Sequence, residues 1–181
     1  MDIGETKLRE MILYAAGAFQ EGAPWSEIRL RRALFHTDLR AYRMLGRPVS
    51  ERIYWKTDLG PTPEGMSSAI SGMEKDGLCS RTAGRLLALR EPNLSAFPSE
   101  EVAILRSVIE DLRRLEPDEA GDFSDGFFGW QAARDGEEIP YGTAFVGRPR
   151  PMTLEEVDWA REAIDEYLER DFPQNRQRAA V

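Results

Sequence analysis

Residues 26–63 read SEIRLRRALFHTDLRAYRMLGRPVSERIYWKTDLGPTP, and this stretch decides the fold. Ser26 is a good N-cap, and the apolar spacing that follows predicts a helix that ends at Gly46, with an arginine-rich opposite face. The β-branched and aromatic residues of 53–57 favour a short strand. Thr62 and Pro63 have the chemistry of an N-cap and first helical residue, so we expect a third helix over 62–76.

Outward from this stretch, apolar residues recur at helical spacing in three further segments. They predict a first helix through Leu8 and Phe19, a fourth from Ser99 to just before Pro117, and a last helix over about 153–170. Residues 78–89 are typical of a β-hairpin with a two-residue turn. The sequence therefore predicts a mainly α class: a single domain over 1–172 with a small antiparallel sheet or hairpin and a C-terminal helix. Residues 173–181 are expected to be a disordered tail.

Composition limits the class of protein. The chain has 181 residues and a net charge of −8, which argues against general nucleic-acid binding. The charge is uneven: residues 26–57 hold eight basic and three acidic groups, a net of +5, whereas 98–140 hold twelve acids and four arginines, a net of −8. No window reaches the length of a membrane span, and the amino-terminal residues lack the pattern of a secretory signal. We expect a cytoplasmic protein.

Residues suited to catalysis, cofactors or metals are scarce. Cys79 is the one cysteine and His36 the one histidine, which excludes an internal disulfide and multi-histidine metal sites. We interpret Cys79 as a buried apolar residue and His36 as a packed or surface histidine without a ligand or catalytic role. The first-turn pair Glu100-Glu101 is explained by the helix dipole. We predict no catalytic, cofactor-binding or metal-binding residues, and we expect that the protein is not an enzyme.

Arginine and aromatic residues cluster between the end of the second helix and the next turn. Such residues dominate protein–protein hot spots. Tyr54 and Trp55 alternate across a strand, so one of them is expected in the core and the other at the surface. The predicted partner-binding residues are Arg43, Arg47, Tyr54, Trp55 and Lys56.

An ordered series of short motifs runs through nearly the whole chain, from about residue 5 to 170. Its members are Phe35 with Asp38; Tyr42-Arg43, Gly46-Arg47-Pro48 and Ser50; Tyr54 and Lys56; Gly60-Pro61 and Pro63; residues 93–101; Trp130; Asp135-Gly136; and Ile139-Pro140-Tyr141 with Ala144-Phe145. This series resembles the Panacea antitoxin domain, also called the SocA-like domain. Two departures stand out: residues 124–130 lack the His-Glu pair usual in that family, and Leu59 replaces a residue that is commonly aromatic or polar.

The resemblance implies a mostly helical domain that neutralises a bacterial or phage toxin by direct contact, the toxin being encoded by the adjacent gene. One branch of the family implies an alternative, an adaptor that delivers its toxin to a protease. A second alternative is a DNA-binding autoregulator, because the third helix and the 78–89 hairpin have the order of a winged helix. Against it, the third helix carries Glu64, Glu74 and Asp76 with Lys75 alone as a basic residue. An enzyme using Asp38 or Glu138 remains a residual possibility.

Overall fold

Helix α2 (Glu27–Leu45) runs through the interior of the computed structural model, which describes residues 3–20, 27–82, 84–115 and 127–146. Every residue from Arg29 to Leu39 is buried. The arginine-rich first half of α2 is therefore packed inside the fold and does not form an exposed basic face. Arg29 donates to the carbonyl of Leu115 at 2.8 Å, and Arg31 donates to Glu27.

Three helices surround α2, namely α1 (Ile3–Gln20), α3 (Met66–Lys75) and α4 (Ser99–Arg114). Helices α1 and α4 contact α2 directly, and α3 packs on α1. The apolar stripes that predicted α1 and α4 form the core, as expected from their helical period. A short helix, α5 (Phe128–Ala132), and 3-10 helices at Leu94–Ala96 and Tyr141–Phe145 complete the helical part.

Strands β1 (Tyr54–Thr57) and β2 (Gly60–Pro63) form an antiparallel hairpin with Trp55 opposite Thr62. The prediction of a helix from Thr62 is wrong, because residues 60–63 pair with β1 instead. The Thr62 hydroxyl bonds inside this hairpin rather than capping a helix. Helix α3 begins four residues later, after Gly65, whose φ of 77° is the left-handed conformation that glycine adopts without strain.

A third segment lies along the other edge of β1. The backbone N–H of Lys56 donates to Glu137, and those of Gly136 and Ile139 donate to Lys56 and Tyr54. Residues 136–139 thus close one edge of the hairpin. The contact joins the amino-terminal half of the chain to the segment that leads into the 141–145 helix.

Strands β3 (Cys79–Thr82) and β4 (Arg85–Ala88) form the second hairpin, in the register that the sequence predicted, with Thr82 opposite Arg85. The architecture is mainly α with small antiparallel hairpins, which confirms the predicted class. The predicted helix at 153–170, the tail at 173–181 and the Ser26 cap lie outside the described residues. Among the described residues, no helix is both long and apolar enough to cross a membrane.

Candidate functional site

A buried carboxylate, that of Asp38 on α2, organises the polar interior. Its Oδ1 accepts the backbone N–H groups of Val49 and Ser50 at 2.7 and 2.8 Å. Its Oδ2 accepts the hydroxyl of Tyr54 at 2.8 Å and that of Ser50. Four donors thus tie the end of the loop after α2, and strand β1, to the centre of the helix.

Burial raises the pKa of Asp38, and the four hydrogen bonds oppose that effect because they favour the ionised form. Burial, followed by the charge of Asp38, raises the pKa of Tyr54 well above its usual value. The tyrosine hydroxyl therefore keeps its proton and serves as a donor. Since both oxygens of Asp38 are occupied by protein donors, this carboxylate holds structure together rather than facing a substrate.

The loop between α2 and β1 has two left-handed backbone positions. Gly46, with φ of 74°, ends α2, and its N–H donates to the carbonyl of Tyr42 at 3.0 Å. Glu51, with φ of 57°, is a non-glycine residue in the same region of φ. The bonds to Asp38 secure the loop between these two positions.

A second buried carboxylate, that of Glu101 in the first turn of α4, binds two cations. Lys7 donates to both of its oxygens at 2.8 and 3.1 Å, and Arg47 donates to Oε1 at 2.5 Å. Glu101 is 1% exposed. The helix-dipole explanation given for Glu100-Glu101 is therefore incomplete, because Glu101 joins α1, α4 and the loop after α2.

The predicted partner-binding residues divide into surface and interior. Arg43 is exposed, and within the described residues it has no hydrogen bond or ion pair. The side chain of Arg47 is 47% exposed while one guanidinium nitrogen binds Glu101. Trp55 is 37% exposed. All three side chains are thus at least partly exposed, and their role in binding a partner stays a prediction.

Tyr54 and Lys56 are not surface anchors. Tyr54 is buried and bonded to Asp38, so the prediction for this residue is wrong, and the strand alternation brings Trp55 to the surface. The Lys56 ammonium donates to the carbonyls of Trp130 and Ala133 at 2.8 and 3.0 Å and lies 4.8 Å from the Trp130 ring centroid. Lys56 is thus engaged inside the fold, joining β1 to α5.

Sequence analysis missed an aromatic cluster beside Arg43. The rings of Tyr42 and Tyr141 stack with centroids 5.3 Å apart, and Phe145 lies 5.9 Å from Tyr42. The Tyr141 hydroxyl donates to the carbonyl of Arg52 at 2.6 Å. Tyr141 and Phe145 belong to the series of short motifs described above. No local sequence pattern predicts their contact with the end of α2, which lies about a hundred residues earlier in the chain.

Cys79 is buried, as interpreted from the sequence, and His36, for which the sequence left a packed or a surface position open, is buried too. Burial, with the charges of Arg32 and Arg40, lowers the pKa of His36 to about 3. The imidazole is therefore neutral at physiological pH. Across the described part of the chain, no group of three or more His, Cys, Asp or Glu residues is arranged to hold a metal ion.

Comparisons of this chain with protein families, with curated proteins and with solved structures find no match.

Proposed function

We propose that this protein is a non-enzymatic, antitoxin-type binding module that neutralises a cognate protein toxin, encoded by the adjacent gene, through direct complex formation in the cytoplasm. The proposal rests on the resemblance to the Panacea (SocA-like) domain. One observation supports it most: motif residues that are far apart in sequence contact one another in the fold.

The contacts between motif residues are specific. Asp38 binds Ser50 and Tyr54, and the ring of Phe35 lies edge-on to that of Tyr54 with centroids 5.2 Å apart. Tyr42 stacks on Tyr141. Each motif is weak alone, but together their residues form one network of contacts. A fold shared with the Panacea domain explains this better than chance matches do, because residues matched by chance need not meet in space.

The exposed chemistry next to that network supports a binding role. Arg43, Arg47 and Trp55 offer the residue types that dominate protein-interface energetics. The two oxygens of Asp38, one of the two residual catalytic candidates beside Glu138, are both occupied by protein donors. Exposed side chains of the interface type next to a carboxylate that is already fully bonded suit a binding module better than an enzyme.

The DNA-binding alternative gains less support. Arg29, Arg31 and Arg32, which contribute to the +5 charge of residues 26–57, are buried. Helix α3 has one glutamate and one lysine, Glu74 and Lys75, and no arginine. A groove-reading helix needs exposed basic and amide side chains, so the binding of protein is favoured over the binding of phosphate.

The test is co-expression with the product of the adjacent gene, with growth and co-purification as readouts. The proposal expects that the neighbour alone arrests growth, and that this chain restores growth while co-eluting with it. Restored growth with a shortened half-life of the neighbour would instead establish the adaptor alternative. A harmless neighbour that does not co-elute would contradict both.

A further inference from the structure

Two exposed residues lie near the carboxyl-terminal end of α2. Phe145 exposes 63% of its surface, although a phenylalanine is usually packed inside. Arg43 is exposed and makes no hydrogen bond or ion pair with any described residue. Both lie at the carboxyl-terminal end of α2, since Phe145 contacts Tyr42 and Arg43 follows Tyr42 in the last turn of that helix.

This surface, here called the α2-end patch, consists of Tyr42, Leu45, Tyr141 and Phe145 with Arg43 at its rim. Leu45 lies three positions after Tyr42, and residues at that spacing are neighbours on a helix surface. Leu45 is 36% exposed. The stack of Tyr42 on Tyr141 fixes the apolar floor, because Tyr141 is also anchored to the carbonyl of Arg52.

Charge identifies the chemistry that would complete the patch. Elsewhere on α2, Arg31 binds the carboxylate of Glu27 and Arg40 binds that of Asp111. Arg43 has no carboxylate within the described residues. An arginine next to exposed aromatic and aliphatic side chains is complementary to an acidic group flanked by large apolar side chains.

A groove elsewhere on the protein lacks this complementarity. A groove of about 630 Å³ lies over Gly17 and Ala18 of α1 and is flanked by Leu89 and Arg90. Arg90 already donates to both carboxylate oxygens of Glu10. Its charge is satisfied internally, so this groove serves as the comparison surface.

We propose that the α2-end patch is where the partner protein docks, through a segment that inserts a large apolar side chain against Tyr42 and Phe145 and pairs a carboxylate with Arg43. The inference rests on the proposed function in that it assigns the docking surface and the chemistry of the partner segment. The aromatic cluster supplies the buried contact area, and the arginine sets the orientation of the segment.

The experiment begins with site-specific photo-crosslinking of the full-length protein in its source cells. The residue p-benzoylphenylalanine is introduced in place of Leu45, and, as the matched control, in place of Leu89 in the comparison groove. We expect the Leu45 position to trap one protein and the Leu89 position to trap none. The trapped protein is identified by mass spectrometry and purified as the probe for binding measurements.

Binding of that purified protein is then measured for two variants and two controls. Arg43→Glu and Phe145→Ser should each weaken binding at least tenfold, as expected when an interface anchor is lost. Arg106→Glu, at an exposed arginine on α4 without a described partner, and Leu89→Ser should leave binding within about twofold. Raised salt should weaken wild-type binding more than that of Arg43→Gln. Circular dichroism checks that each variant is folded.

Each outcome decides the inference separately from the proposed function. Unchanged binding in Arg43→Glu and Phe145→Ser, trapping from Leu89 instead of Leu45, no trapping at Leu45, or trapping of a second copy of this chain would overturn the patch as the partner site. Weakened binding to a trapped protein that is harmless to cell growth would leave the patch established and contradict the antitoxin role.

Discussion

The hydroxyl of Tyr54 on β1 donates a 2.8 Å hydrogen bond to Oδ2 of Asp38 on α2, inside the core. Val49 and Ser50 supply the other three donors to this carboxylate. Neutral donors can stabilise a buried charge only when enough of them converge on it, so each of these bonds is needed.

Tyr54→Phe removes one of the four donors and retains the ring that packs on Phe35. We expect the free energy of unfolding to fall by about 1.5–3 kcal/mol, the range for a hydrogen bond to a charged group. Asp38→Ala should cost more, because it leaves the buried donors without an acceptor. Urea unfolding measures both. Equal losses for the two variants would contradict a four-donor carboxylate.

His36 predicts a pH dependence of stability. Its pKa is lowered to about 3 in the folded protein, mainly by burial, against 6.5 in the unfolded chain. Below pH 6.5 the unfolded state therefore binds a proton that the folded state does not, and stability falls as the pH drops from 6.5 towards 3. From pH 7.5 to 5.5 this single group should remove about 1.4 kcal/mol.

The control for this prediction is His36→Gln, whose stability should change less over the same interval. The raised pKa of Asp38 acts with the opposite sign, since its contribution is full in acid and is lost as the pH rises. Both proteins contain Asp38, so the difference between their pH profiles isolates the histidine. Parallel profiles for the two proteins would show that folding does not lower the pKa of His36.

Glu100 and Glu101 form a matched pair in the first turn of α4. Glu101→Gln leaves the buried Lys7 ammonium and the half-exposed Arg47 guanidinium without their carboxylate, and we expect a loss of about 3 kcal/mol in the free energy of unfolding, mainly from Lys7. Glu100 is fully exposed and bonds the adjacent Ser99, so Glu100→Gln should leave the melting temperature close to that of the wild type. A similar melting temperature for both variants would refute the distinction.

Features with a local cause could be predicted from the sequence. The core residues of α1 and α4 follow a helical period, and the β3–β4 hairpin is encoded by its turn around Gly84. Such patterns need only neighbouring residues. The start of α3 was predicted too early, because a Thr-Pro pair looks the same locally before a helix as in a strand whose partner is β1.

Features with distant partners could not be predicted. Arg29 of α2 is buried because its acceptor, the carbonyl of Leu115, lies just after α4, 86 residues later in the chain. The two-residue period of a strand predicts that either Tyr54 or Trp55 is exposed at the surface. Tyr54 is the buried one because its hydroxyl binds Asp38, a contact that the strand pattern does not reveal. Lys56 was assigned to the surface because its carbonyl acceptors, those of Trp130 and Ala133, are over 70 residues away in sequence.

Two glycines test opposite consequences of adding one methyl group. Gly17, on α1, has open space where a Cβ would lie, so Gly17→Ala should stabilise the protein by about 0.5–1 kcal/mol through reduced freedom of the unfolded chain. Gly129, on α5, has no such space, because an added Cβ would clash with the hydroxyl of Thr143 and lie only 2.9 Å from the Cβ of that residue. Gly129→Ala must therefore displace the 141–145 helix or its own helix, at a cost of about 1–3 kcal/mol.

Thermal and urea unfolding of the two variants, measured side by side, check the sign of each change. If Gly129→Ala were also stabilising, α5 and the 141–145 helix would not be in the close contact described above, and the anchoring of Phe145 in the α2-end patch would have to be revised with it.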